Sequence, residues 1–179
     1  SAWSGIWCVG IGLKQFYRNE EIEVTGVVEE YYGMTRLNVT SANKTGNLGN
    51  VSPTVLDPSD SASYANFGWE PYESMFIRYE QPNGKLHISQ TNLGFGDFAV
   101  SSSNTAAVSH SARVLAGRQS TTAYSSLDVQ LVTDTSYSSL DGEMNVTPIV
   151  VSDTMTFDAI EGILFYGFSN YRLLPRNNN

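Results

Sequence analysis

The chain has 179 residues, with 10 Lys+Arg against 18 Asp+Glu and a formal net charge of −8. That balance excludes the broad basic surface of a non-specific duplex binder, and the 41% hydrophobic content excludes a disordered tail. No apolar run approaches the ~18–20 residues of a membrane span, and the single cysteine, Cys8, excludes an intrachain disulfide in a chain long enough to bury one good core without it.

Period-2 alternation dominates, and no segment carries a helical apolar stripe of about 11 residues or more. Ile6-Trp7-Cys8-Val9 reads as a strand in which Cys8 is a small buried hydrophobe. Residues 21–29 alternate and put Ile22, Val24 and Val28 on one face, and Gly26 among them reads as a bulge or sharp bend. Tyr31-Tyr32-Gly33-Met34-Thr35 is the turn of a hairpin that returns through 36–40. Residues 41–66, rich in Ser, Asn and Gly, read as loops around a short strand at 54–56, and Asp57-Pro58-Ser59-Asp60 starts a brief helix.

Residues 75–79 and 85–90 read as a second hairpin across Gln81-Pro82-Asn83-Gly84. A short strand follows at 97–100, and 101–126 reads as the long loop. Strands resume at 127–132, residues 134–143 form a polar loop, and Ile149-Val150-Val151 is a further apolar run. Residues 154–166 and 171–174 close the chain as a last hairpin. About ten short strands between turn signals predict an all-β sandwich or barrel with little helix, as two OB-like or Greek-key halves around one continuous core.

Gly26-Val27-Val28-Glu29-Glu30-Tyr31-Tyr32-Gly33-Met34-Thr35-Arg36-Leu37 can be laid on Gly162-Ile163-Leu164-Phe165-Tyr166-Gly167-Phe168-Ser169-Asn170-Tyr171-Arg172-Leu173. Glycine, two β-branched or aliphatic residues, an aromatic-glycine turn and Arg-Leu recur, and the Gly-to-Arg spacing is ten in both. The expected organisation is one module over 1–179 with an internal repeat at about 20–40 and 156–176.

These blocks resemble the OB-fold-like modules of large secreted bacterial proteins, which accompany extracellular endonucleases, lamin-tail domains and cell-surface proteins of the type IX route. The residues from Val24 through Tyr31-Tyr32-Gly33 to Leu37 resemble the family's first block, and Tyr72-Glu73-Ser74-Met75-Phe76-Ile77 its middle block. Gly94-Phe95-Gly96-Asp97-Phe98-Ala99-Val100 resembles the next, with Asp97 where the family usually has Glu. Ile160-Glu161-Gly162-Ile163-Leu164 and Tyr171-Arg172-Leu173-Leu174-Pro175-Arg176 resemble the closing block. The chain departs from the family in lacking strands upstream of Trp3-Ser4-Gly5-Ile6 and a nuclease domain downstream, and it opens at Ser1 like a processed or excised piece.

The inventory does not assemble an enzyme. His87 and His110 are the two histidines, Ser109-His110-Ser111 has no third orienting group, and Glu20/Glu21 and Glu29/Glu30 are neighbours whose side chains point to opposite faces. Glu73 and Asp97, with Gly26 and Gly162, read as structural residues, the carboxylates accepting backbone N–H groups at strand ends or pairing with Arg36 or Arg172. Asp134-Thr135-Ser136-Tyr137-Ser138 opens like a calcium loop, but its sixth position is Ser139 and its twelfth Asn145, so the EF-hand pattern fails. Asp134 and Asp141 remain the Ca²⁺ candidates, and no Cys/His cluster suits zinc.

Tyr31, Tyr32, Tyr166, Arg36 and Arg172 are the candidate binding residues, because single-strand binders stack bases on aromatics within a basic groove. The −8 charge opposes phosphate outside such a patch. Four sequons, at Asn38, Asn43, Asn50 and Asn145, are close to chance for this composition. The expected function is a non-catalytic extracellular or cell-surface assembly module. Its partners are copies of itself or neighbouring modules, joined by β-strand addition at an incomplete sheet. A nucleic-acid-binding accessory module of a secreted nuclease is the alternative.

Overall fold

The computed structural model describes residues 1–10, 12–17, 19–57, 69–90, 97–101, 114–117, 152–167 and 170–175. Within them the chain is all-β, with two short 3-10 turns, Leu13–Gln15 and Glu70–Tyr72, as the helical content. A three-stranded sheet holds β1 (Trp7–Gly10), β2 (Glu20–Tyr31) and β3 (Met34–Leu48) in the order β1-β3-β2, with β2 antiparallel and β1 parallel to β3. The larger sheet runs β4-β5-β10-β11-β8-β7-β6-β9. Its members are β4 (Thr54–Leu56), β5 (Phe76–Glu80), β6 (Leu86–Gln90), β7 (Asp97–Ser101), β8 (Val114–Gly117), β9 (Thr156–Phe157), β10 (Ala159–Gly167) and β11 (Asn170–Pro175). Among the described residues no helix is long and apolar enough to cross a membrane.

Alternation builds the core. In β5, Ile77 and Tyr79 point inward, and in β10 Ile160 and Leu164 do the same at period two. They join Leu56, Trp69, Met75, Leu86, Ile88, Val100 and Leu173 in one cluster, with Tyr72, Met155, Phe157 and Tyr171 packed against it. Each such aliphatic side chain contributes about 1.5–3 kcal/mol when fully buried. Phe16, Met34 and Val39 are the buried residues of the smaller sheet's neighbourhood.

Several expectations are corrected. The turn at Gln81 closes, with the Gly84 N–H donating to the Gln81 carbonyl (3.1 Å), but β5 and β6 do not pair. Both edges of β5 are already taken, one by β4 and the other by β10, so β6 pairs with β7 and β9 instead. Residues 41–48 are strand rather than loop, held by β2 through pairs such as Ile22 with Lys44 and Val24 with Ala42. β8 falls inside the stretch expected to be the long loop.

The bulge expected at Gly26 is present, as a register shift between Thr25 and Gly26. The extra residue is Thr40 of β3, and beyond it the covered side of β2 changes: Val28 is 60% exposed and Glu29 half-buried, so Val28 does not share the cover of Ile22 and Val24. Cys8 is half-buried rather than fully buried. The expected helix start at 58–60, the loop at 134–143 and the apolar runs at 127–132 and 149–151 lie outside the described residues.

The two segments aligned by sequence are both antiparallel hairpins in the same register. Glu29 faces Arg36 and Tyr31 faces Met34 in the first, and Phe165 faces Arg172 and Gly167 faces Asn170 in the second. Gly26 and Gly162 each lie against a carbonyl of the returning strand, that of Asn38 and of Leu174, where any Cβ would collide with it.

Residues 1–10 and 69–75 tie the two sheets together. The Trp3 N–H donates to the Pro71 carbonyl (2.6 Å), the Ser74 N–H to the Leu164 carbonyl (2.6 Å) and the Leu164 N–H to the Met75 carbonyl (3.0 Å). Trp7 of β1 meets Phe165 of β10 edge to face at 5.1 Å between ring centroids.

Candidate partner-binding face at the first hairpin

The site grows from a two-residue turn. Tyr32 (φ 51°) and Gly33 (φ 82°) both take positive φ, as a type I′ turn requires for its twist to match the flanking strands. A Cβ on Gly33 would stand 2.9 Å from Tyr166 Cε1, so the hairpin tip lies directly on the ring of β10. Tyr31 and Tyr32 meet edge to face at 4.6 Å. Tyr166 leans on Tyr171, its cross-strand partner, at 4.8 Å.

Arg36 faces Glu29 across the strand pair and is bound to it, Nη2 lying 2.7 Å from Glu29 Oε1 and Nε donating to the same oxygen at 2.8 Å. Its guanidinium also lies 3.5 Å from the centroid of the Tyr31 ring. Tyr31, Tyr32, Arg36 and Tyr166 therefore gather around one hairpin tip. Arg172 stands in β11 opposite Phe165 and beside Leu115, with its side chain outside the described part of the structure.

Glu73 anchors this tip to the larger sheet. Its Oε1 accepts the Thr35 N–H at 2.9 Å, which is the expected backbone bond at a strand end. The expected pairing with Arg36 does not form, because Glu29 holds that guanidinium by register. Glu73 is 7% exposed and its Oε2 has no hydrogen-bond partner. Burial pushes its carboxyl up to about 7, against the Thr35 N–H, with Glu70 and Glu30 adding to the rise. Glu70 accepts a hydrogen bond from the Tyr171 hydroxyl and Glu30 one from the Thr35 hydroxyl.

The face thus presents aromatic surface, with Tyr32 85% exposed, and one cation already bound to a carboxylate within an acidic surround. Lys44 with Glu20, Arg78 with Glu161 and Lys85 with Asp158 are engaged in the same way. Aromatic and polar contacts suit this face better than phosphate does.

Asp97 opens β7 opposite Gly117, and His87 stands in β6 opposite Ser101 and Thr156. His110, Asp134 and Asp141 lie outside the described residues. Among the described residues no group of three or more His, Cys, Asp or Glu could hold a metal ion.

Sequence reasoning missed the arm behind the tip. β1 pairs with β3 at Trp7–Arg36, Cys8–Leu37, Val9–Asn38 and Gly10–Val39 and no further. Among the described residues, 40–48 therefore have β2 on one side and no strand on the other. No apolar alternation marks them, because both faces of the ribbon are largely exposed. No protein-family model matches the chain, and neither a curated protein nor a solved structure matches it.

Proposed function

We propose that the chain is a non-catalytic extracellular module of a bacterial surface or fibre assembly, joined to its neighbours by β-strand addition. The observation that carries this reading is the asymmetric ribbon of β2 and residues 40–48. β2 sits at the sheet edge and carries Glu20, Glu21, Glu23, Glu29 and Glu30, charges that blunt an edge against pairing. Residues 40–48 carry a single charge, Lys44, which Glu20 holds at 2.6 Å, so among the described residues this side has fewer charges than β2 and is guarded mainly by the two register shifts in its pairing. A two-stranded ribbon is marginal in water and gains from a third strand. The block resemblance to secreted OB-fold-like modules and the Ser/Thr/Asn-rich acidic composition support an extracellular setting.

Light scattering and electron microscopy over a concentration series test the reading. Concentration-dependent polymers are expected, and a protein that stays monomeric throughout overturns it. The alternative, a nucleic-acid-binding accessory module, is opposed by the engagement of Arg36 with Glu29. It stands or falls on retention by single-stranded DNA at ~50 mM salt, where phosphate contacts are strong.

A further inference from the structure

We propose that β1 is the strand traded between copies: it leaves its own β3, pairs with β3 of a second copy, and the vacated place takes β1 from a third. This rests on the assembly reading above and deepens it by naming donor and acceptor. What residues 1–10 bind lies on elements later in the chain. Trp7–Gly10 pair in parallel with Arg36 to Val39 of β3, Trp3 donates to the Pro71 carbonyl, Gly5 sits tight against Ser74 and Met75, and Trp7 meets Phe165. A second copy presents these same surfaces, so the fit between copies is already displayed within one chain.

The attachment is light. Trp7, Cys8 and Val9 are half-buried, Ile6 is 42% exposed, and no residue of the main core cluster belongs to this segment, so withdrawing it uncovers that cluster at Met75, which Ser4 and Gly5 touch, until a second copy covers it again. Gly10 (φ 140°) and Gly12 (φ 83°) flank the exit from β1 in conformations that side-chain-bearing residues resist. They form the hinge on which the strand swings out while Leu13–Gln15 and β2 stay with the body. A strand arriving beside Val39 of a neighbour also lands at the start of residues 40–48, which have no strand on that side among the described residues. Each exchange uses a donor and an acceptor that are different surfaces, so an exchange that is not returned within one pair propagates head to tail.

Cys8 faces Leu37 in the β1–β3 register and is the sequence's single cysteine, which makes the exchange directly readable. Wild-type chain is mixed with Cys8→Ser/Leu37→Cys at polymerising concentration, oxidised with glutathione and run on a non-reducing denaturing gel. A mixed disulfide-linked dimer is expected, about tenfold above that formed with Cys8→Ser/Asn38→Cys, because neighbouring side chains on a strand point to opposite faces.

Val9→Cys in a Cys8→Ser chain, mixed with Cys8→Ser/Asn38→Cys, repeats the test at an exposed acceptor position should Leu37→Cys fail to fold. A chain carrying both Cys8 and Leu37→Cys should give a covalent ladder. If it closes on itself as a monomer and the mixed pairs stay unlinked while polymers still form, the exchange is wrong and assembly uses another edge. If no polymers form, the assembly reading fails and the exchange with it.

Discussion

Glu73 keeps a carboxylate where solvent scarcely reaches and gives one of its oxygens no hydrogen-bond partner, an arrangement that stores a pH dependence. The folded carboxyl holds its proton up to about pH 7, whereas an ordinary one releases it near 4.5, so the folded state binds more protons over that interval. Stability is therefore full below the ordinary value and is lost progressively as pH rises from there through 7, by about 3 kcal/mol. Glu73→Gln keeps an oxygen for the Thr35 N–H and removes the titration. Urea unfolding at pH 5 and pH 8 should show a smaller loss in the variant than in the parent, and equal losses would contradict the assignment.

Tyr32 is a second strained position, a bulky side chain at positive φ where a type I′ turn favours asparagine. Tyr32→Asn should stabilise the monomer by about 1 kcal/mol in the same assay. Sequence reading placed Glu73 as an acceptor at a strand end and found the aromatic tip. It missed the partner of Arg36, because Glu29 becomes that partner only through the register of β2 on β3.

Strands that pack one face on the core were legible, since burial imposes the alternation seen in β5 and β10. Residues 41–48 were not, because a ribbon exposed on both faces needs no apolar period, and pairing with β2 alone makes it a strand. The hairpin read into Pro82-Asn83-Gly84 failed for another reason: turn chemistry is local, while the choice of neighbour for β5 was settled by β4 and β10.

The same contrast predicts unequal local stability. Amide hydrogen exchange should be faster in residues 20–25 and 41–48 than in β5 and β10, because the ribbon has few buried apolar contacts. On polymerisation by exchange of β1, protection should be kept at Arg36 to Val39, whose partner strand is replaced like for like, and should not rise along the acidic β2 edge. Leu164→Ala, in a fully buried position of β10, should cost about 2–5 kcal/mol in chemical unfolding.

At the scale of the molecule, a net charge of −8 makes every copy repel the next. Assembly through β3, whose Arg36 and Lys44 are already bound to Glu29 and Glu20, should then strengthen as salt is raised from ~0.01 to ~0.3 M, because screening removes that repulsion. Binding to a polyanion would weaken over the same range, so turbidity against salt separates the two readings. The order of the larger sheet has one further effect. β10 lies between β5 and β11, pairing Phe76 to Glu80 of β5 with residues from the far end of the chain. During synthesis, the edge of β5 that β10 fills must therefore wait until Ala159 to Ile163 are made. Contacts so far apart in sequence slow folding, so that edge of β5 stays without its β10 partner while the residues between them are made.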